Sequence, residues 1–159
     1  KSRVHARFVT IAGKVNNKSD FGIYPCGMAD QDSDGFKEFP FIINAGFELR
    51  PRNYFVYDLN HDTLYISPES GVALNQPVGF DITNDGIPEI LPRCHATGNF
   101  HADTIPYTDQ KCYLMVFTGK AQFLFEPVML GDYPSNVITM PFRTGNTTRI
   151  AAYFMYAGI

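Results

Sequence analysis

Polar and apolar residues alternate along most of this chain, and that two-residue period is the feature that most restricts its fold. Successive side chains of a β-strand point to opposite faces, so alternation is typical of strands with one buried face. Stretches that would need a helical period, such as ESGVALNQPVGF, are interrupted by Gly or Pro. The clearest alternating segments are RVHARFVTIAG, NYFVYDL, DTLYIS, CYLMVF, AQFLFEPV, NVITMPF and RIAAYFMYAG. The sequence therefore predicts an all-β protein of roughly ten or more short strands.

The composition narrows the range of partners. The net charge is −3, and the 13 basic residues are spread along the 159 positions, so no basic stripe is present that would bind nucleic-acid phosphates. No apolar run reaches the roughly 20 residues of a membrane helix, and the first residues lack the apolar region of a signal peptide. We therefore expect a protein that neither binds nucleic acid nor inserts into a membrane.

An internal repeat covers most of the chain when its acidic turns are aligned. The first unit, at about 21–72, contains ADQDSDGFKEFPFII and then NYFVYDLNHDTLYIS. The second unit, at about 73–130, contains GFDITNDGIPEIL and then CYLMVFTGKAQFLFE, and a partial third unit follows at about 131–159. Each full unit reads acidic loop, strand, loop and hairpin. We predict a single all-β domain over residues 1–159 that is built from these antiparallel units.

The two acidic loops share one spacing of oxygen-bearing side chains, with Gly35 and Gly86 at the sixth position of each loop. A tight loop with this spacing turns alternate side chains inward, and Ca²⁺ binds six to eight oxygen atoms. The predicted Ca²⁺ ligands of the first loop are Asp30, Asp32, Asp34, Glu38 and the carbonyl oxygen of Phe36. Those of the second loop are Asp81, Thr83, Asp85, Glu89 and the carbonyl oxygen of Ile87.

The segments ADQDSDGFKEF and GFDITNDGIPEIL resemble the calcium loop of FG-GAP-type repeats, the blades of integrin-α-like β-propellers, with their pattern DxDxDGxxD followed by a strand. The helix-loop-helix calcium motif is excluded, because its twelfth position holds Phe41 or Pro92 instead of Glu. The sequence departs from the FG-GAP pattern with Glu at the ninth position of both loops and with Thr83 at the third position of the second. The resemblance implies blade-like antiparallel sheets, a partial propeller, with calcium bound more weakly at the second loop. A β-sandwich is the alternative fold.

Two simpler interpretations of the acidic segments stand beside the calcium prediction. Asp and Gly are common in β-turns for backbone reasons alone, so each Asp-Gly pair also fits a turn without metal. A third acidic string, at 58–62, has Thr63 where the calcium pattern needs Gly and lies between two strand-like runs. We interpret that string as a hairpin turn.

The three cysteines allow more than one arrangement. Cys94 and Cys112 bracket the segment by which the second unit exceeds the first, and a disulfide between them would close that insertion, leaving Cys26 separate. The alternatives are unpaired core thiols or a zinc site with His95 and His101, whose spacing is poor for zinc. We predict the Cys94–Cys112 disulfide.

Two N-glycosylation acceptors, Asn17 and Asn146, favour a secreted glycoprotein. No nucleophile elbow, catalytic triad or phosphate-binding glycine loop is recognisable, so we do not predict an enzyme. Phe100, Tyr107 and Phe142 lie among polar residues where an aromatic ring can contact a ligand.

We predict a calcium-stabilised structural or adhesive binding module with a glycan or protein ligand, which forms a homo-oligomer or filament through strand-like segments near both ends. The alternatives are a fimbria-like β-sandwich subunit completed by strand donation, and an accessory glycan-binding domain of a polysaccharide-degrading enzyme.

Overall fold

A computed structural model describes residues 23–43, 52–98 and 105–155, and every regular element in those ranges is a β-strand. All strand pairs are antiparallel, which confirms the predicted all-β fold and is consistent with both blade-like sheets and a sandwich. The strands are β1 (Ile23–Pro25), β2 (Phe39–Ile43), β3 (Tyr54–Asp58), β4 (Thr63–Ile66), β5 (Ala73–Phe80), β6 (Glu89–His95), β7 (Cys112–Leu114), β8 (Val128–Gly131), β9 (Asn136–Thr144) and β10 (Thr147–Met155).

The first four strands form a meander within the first predicted unit, in the sheet order β1-β2-β3-β4. In the β2–β3 pair, Phe39 lies opposite Tyr57. The first acidic loop joins β1 to β2, and the turn at 59–62 joins β3 to β4. This register therefore places Glu38, just before β2, beside Asp58 at the end of β3.

A second sheet has the strand order β10-β9-β6-β5. Its outer strand β5 is interrupted by a bulge between Asn75 and Val78, where Gln76 has a φ of 41° and Pro77 has no N–H to donate. On the opposite side, β9 and β10 pair along a long hairpin. Gly145 has a φ of 58° in the hairpin turn, as the first central residue of a type II′ turn requires.

The second unit repeats the pairing order of the first in a shorter form. Ile90 on β6 exchanges two backbone hydrogen bonds with Phe117, both of 2.9 Å. Phe117 also pairs with Phe123 across a turn that begins at Thr118. The predicted hairpin CYLMVFTGKAQFLFE therefore forms mostly as isolated pairs, and within it only β7 is a regular strand.

The larger of two hydrophobic clusters among the described residues joins the two sheets, with members from β2, β3, β5 and β6. Tyr54 packs against Phe117 with ring centroids 5.1 Å apart, and Phe117 stacks on Phe123 at 5.0 Å. Phe55 and Tyr57, which alternate with the core residues along β3, form a second cluster with Phe41 on the other face of the first sheet. Both faces of β3 are therefore buried, as its uniformly buried residues show.

Several predictions fall outside the described residues: the N-terminal strand RVHARFVTIAG, the acceptor Asn17, and the side chains of Phe100 and His101. Tyr107 is not a free loop aromatic. Its ring packs edge-on against Tyr113 and Phe123, each with centroids 5.5 Å apart, and its hydroxyl donates to Glu126 at 2.6 Å. Within the described ranges, no helix has the length and apolarity needed to cross a membrane.

Candidate metal centre

The two acidic loops have the same backbone conformation. At the fourth position Ser33 and Asn84 have φ angles of 63° and 65°, and at the sixth position Gly35 and Gly86 both have a φ of 88°. Positive φ at the sixth position explains the glycine in both loops, since other residues adopt this conformation at a cost. The spacing found in the sequence therefore corresponds to one loop structure formed twice.

Hydrogen bonds inside the loops also correspond. The carboxylate of Asp30 accepts the amides of Asp34 and Gly35 at 3.1 and 2.9 Å, and the carboxylate of Asp81 accepts the two equivalent amides, both at 3.1 Å. The amides of Phe36 and Ile87 donate to the preceding Asp34 and Asp85, each at 2.8 Å. These bonds fix the first and fifth carboxylates of each loop toward its inside.

In the first loop the four predicted carboxylate ligands converge. One oxygen from each of Asp30, Asp32, Asp34 and Glu38 lies within 4.8 Å of the other three. Carboxylates this close repel one another unless a cation or a proton compensates their charge. This group has the donor chemistry that Ca²⁺ prefers, because every donor is an oxygen.

Glu38 is the decisive member of that group. Its side chain is 2% exposed, and its Oε2 accepts the backbone amide of Gln31. Its Oε1 is buried without a hydrogen-bond partner. Burial raises the pKa of Glu38, and the charges of Asp32 and Asp58 raise it further. A buried carboxylate oxygen without a donor, beside other carboxylates, fits a cation ligand.

The second loop satisfies the same oxygen internally. The hydroxyl of Thr83 donates to Glu89 Oε1 at 3.3 Å, and the amide of Ile82 donates to Oε2 at 2.7 Å. Arg143 from β9 also donates to the side chain of Asn84 and to the carbonyl of Asp81. Among residues 23–43, 52–98 and 105–155, the second loop brings no three acidic ligand atoms within 4.8 Å of one another. The two loops therefore differ in chemistry at the third position, where Thr83 of the second loop donates a hydrogen bond and Asp32 of the first loop adds a carboxylate.

The string at 58–62 forms the β3–β4 turn, as the sequence indicated, but the turn also lies against the first loop. Asn60 Nδ2 donates to Asp34 Oδ2 at 2.8 Å. His61 Nδ1 lies 2.7 Å from Asp58 Oδ2 and 3.7 Å from Asp34 Oδ2. The Asp58 side chain is 1% exposed, and its hydrogen bonds from His61 and Asn60 lower its pKa despite the opposing effect of burial. Sequence spacing did not reveal this contact.

The predicted Cys94–Cys112 disulfide is not found, because all three cysteines are free thiols. The two sulfur atoms lie beside separate carbonyls, Cys94 Sγ 3.9 Å from that of Pro92 and Cys112 Sγ 3.5 Å from that of Gly131. Burial raises the pKa of the Cys94 thiol to about 12, with a smaller contribution from Cys112. In the described part of the chain, neither cysteine joins a group of three metal ligands, so the zinc alternative gains no support.

The second glycosylation acceptor, Asn146, is exposed in the turn of the β9–β10 hairpin, at a position open to modification.

The chain was compared with protein-family models, with curated proteins and with solved structures, and none of the three comparisons found a match. The assignment of the site therefore depends on the geometry of the loops.

Glu38→Gln is expected to stabilise the calcium-free protein by about 1 kcal/mol and to abolish its response to Ca²⁺, because the change removes a buried, unpaired charge. The raised pKa of Glu38 leads to the same expectation, because it means that folding disfavours the ionised carboxylate. The folded state holds the proton more tightly than the unfolded state, so this group stabilises at low pH and that contribution is lost as pH rises through the folded pKa.

The measurement is urea unfolding in EDTA, and Glu89→Gln is the matched control. Glu89 accepts hydrogen bonds from Ile82 and Thr83, so its replacement is expected to destabilise the protein. Equal destabilisation by both variants would contradict the assignment of Glu38.

Proposed function

We propose that this protein is a secreted, calcium-stabilised structural or adhesive binding module and that its first acidic loop is the principal cation site. The observation that supports the proposal is the convergence of four carboxylates around the buried, unpaired Oε1 of Glu38. The second loop is a weaker site, because Thr83 already satisfies the equivalent oxygen of Glu89.

Calcium at the first loop has a structural role in this proposal. The loop connects β1 to β2, and the turn between β3 and β4 contacts it through Asn60. An ion held there neutralises the repulsion among the loop carboxylates and so fixes the edge at which these strands meet. The carbonyl of Phe36 and water complete the oxygen shell that Ca²⁺ requires.

The direct test is calorimetric titration of chelator-treated protein with Ca²⁺, using Asp34→Asn and Asp85→Asn as a matched pair. Both residues occupy the fifth position and accept the amide two residues later at 2.8 Å, and Asp34 differs in that its Oδ2 also accepts a hydrogen bond from Asn60. We expect Asp34→Asn to weaken the tightest binding event at least tenfold and Asp85→Asn to leave it unchanged. Absence of Ca²⁺ binding by the unmodified chain at millimolar concentration would refute the proposal.

Self-association is favoured by a separate feature, the outer strand β10. Every second residue of β10 is exposed, and Tyr153 on this face is 66% exposed. The adjacent strand β9 adds Met140, 67% exposed, and Phe142 to the same face. Within the described residues, β10 pairs only with β9. We propose that a second copy of this chain pairs with β10 in the antiparallel direction.

The charge on β10 selects the register of that pair. Arg149 is the one charged residue of the strand. Pairing about a twofold axis at Ala151 places Arg149 opposite Tyr153 of the second copy, an arrangement that allows a cation–π contact. Registers centred on Arg149 would place like charges opposite each other, which destabilises strand pairs.

Ala151→Lys is expected to convert the dimer to a monomer, because two lysines would meet at the axis. Light scattering coupled to size-exclusion chromatography measures the change, and Gln122→Lys at an exposed position is the control for an added charge. A monomeric unmodified protein, or a dimer unaffected by Ala151→Lys, would contradict this arrangement.

A further inference from the structure

We propose that calcium at the first acidic loop also orders the second acidic loop, and that the side chain of Gln31 transmits this effect between the two units. The inference rests on the proposed calcium site of the first loop. Gln31 occupies the second position of that loop, and its Nε2 donates to the carbonyl of Pro88 in the second unit at 3.3 Å. Pro88 directly precedes Glu89, the ninth residue of the second loop.

The backbone of Gln31 is surrounded by the carboxylates of the first loop. Gln31 lies between Asp30 and Asp32, whose carboxylates both belong to the converging group. Its amide donates to Oε2 of Glu38, another member of that group. A cation that binds these carboxylates therefore fixes the backbone on both sides of Gln31. When the cation leaves, repulsion among the carboxylates loosens the same backbone.

The side chain of Gln31 lies in a narrow slot between Pro88 and Gly119 of the second unit. Gln31 is only 6% exposed. A Cβ atom on Gly119 would lie 2.5 Å from the Cβ and 2.7 Å from the Cδ of Gln31, well inside the roughly 3.5–4.0 Å separation of carbon atoms in contact. Gly119 does not have a positive φ, so the close approach of Gln31 is what requires a glycine here.

The two walls of this slot are joined by one backbone pair. Pro88 lies two residues before Ile90, and Gly119 lies two residues after Phe117. Ile90 and Phe117 exchange backbone hydrogen bonds, both of 2.9 Å. A Gln31 side chain in the slot therefore restrains the end of the second loop and the turn after Phe117 together.

The buried amide oxygen of Gln31 makes occupation of the slot depend on the first loop. Within the described residues, Oε1 of Gln31 is buried and has no hydrogen-bond partner. Burial of such an oxygen costs free energy, which is regained when the side chain leaves the slot and meets water. The side chain thus has two states, in the slot or hydrated. An ordered first loop favours the state in the slot.

The second loop is linked to the following unit at the same loop position. Ile82 occupies its second position and donates its amide to Oε2 of Glu89 at 2.7 Å, as Gln31 donates to Glu38. The carbonyl of Ile82 accepts the hydroxyl of Thr148 on β10 at 3.0 Å. The second position therefore links each loop to the next unit. In the first loop the link is a side chain of the loop itself, so a substitution there can remove it.

The test follows the second unit by NMR while Ca²⁺ is added to Asp85→Asn protein, in which calcium binding by the second loop is weakened. The amide of Glu89 shares its peptide group with the carbonyl of Pro88, so its resonance reports the hydrogen bond from Gln31. We expect Ca²⁺ to shift this resonance and to slow hydrogen exchange at Ile90 about threefold to tenfold, the effect of one hydrogen bond. With Gln31→Ala added, Ca²⁺ should still bind the first loop, but both effects in the second unit should be lost.

A second variant removes the link from the opposite side. Gly119→Ala closes the slot and should abolish the same two effects. Gly27→Ala is its matched control, because a Cβ atom there meets no other atom within 4 Å and no positive φ is involved. Gln122→Ala is the control for Gln31→Ala, since Gln122 is an exposed glutamine whose Nε2 donates only within its own turn.

Two outcomes would overturn the role of Gln31: calcium effects at Glu89 and Ile90 that persist in Gln31→Ala protein, or calcium binding at the first loop without any change at these two residues. Failure of the calcium proposal looks different, because Ca²⁺ then shifts no resonance of the first loop in any variant, and this result overturns both proposals. Gln31→Ala removes a side chain with an unpaired buried oxygen, so the variant is expected to fold, which the dispersion of its amide resonances checks.

Discussion

Removal of calcium is expected to lower the thermal unfolding midpoint of this protein by about 5–10 °C. A ligand present at 100 times its Kd stabilises the folded state by about 2.7 kcal/mol. In a chain of this size, each kcal/mol shifts the midpoint by about 2–4 °C. Repulsion among the four carboxylates of the first loop returns when the ion leaves, which adds to the effect.

Differential scanning calorimetry in saturating Ca²⁺ and in EDTA measures this shift. Asp34→Asn should remove most of the difference between the two conditions, and Asp85→Asn should retain it. Mg²⁺ should stabilise less than Ca²⁺, because Mg²⁺ requires a stricter octahedral geometry. A midpoint that is the same with and without EDTA would exclude a structural role for calcium.

Arg52→Met is expected to destabilise the protein by about 3–5 kcal/mol, because it leaves a buried charge without its partner. Arg52 Nη1 lies 3.5 Å from Asp109 Oδ1, and the Asp109 side chain is fully buried. Asp109 also accepts the amide of Thr97 at 3.0 Å and its hydroxyl at 2.6 Å. Arg52 donates to the carbonyl of Gly71, so the change also removes a link between two loops.

Chemical unfolding at neutral pH tests this value, with Lys111→Met as the matched control. Lys111 forms a solvent-exposed pair with Asp132 at 2.8 Å, and the loss of such a pair changes stability little because water screens both charges. Replacing both Arg52 and Asp109 by apolar residues should recover part of the loss, since no charge then remains buried. Equal effects of the Arg52 and Lys111 changes would contradict the importance of burial.

The sequence predicted most of the strands because their alternation reflects a backbone property. Along β3, Tyr54 and Phe55 enter opposite clusters as the two-residue period requires. The period was less informative at β5, where the bulge near Pro77 interrupts it, and this segment gave no clear strand signal. The alternation also led to too long a predicted hairpin around Phe117, because it does not determine how many residues of two strands pair.

The conformation of the two acidic loops was predictable because their carboxylate residues are close in sequence and their glycines mark the required backbone. The contact between the first loop and the β3–β4 turn was not predictable, because β2 and most of β3 separate Asp58 from that loop in the sequence. Only the register that places Phe39 opposite Tyr57 brings the turn to the loop. The prediction of a Cys94–Cys112 disulfide was wrong for a related reason. Sequence order suggested that the two residues are close, but it did not determine the direction of their sulfur atoms.

The bulge in β5 limits how far strand pairing can extend. The second sheet has two outer strands, and at β5 the irregular Gln76 and the missing N–H of Pro77 disrupt the row of groups that an added strand would need. At β10 the strand runs without interruption for its full length. A pair of copies joined through β10, as proposed, would therefore use the one uninterrupted outer strand of this sheet, and the bulged β5 would not extend the same sheet to a third copy.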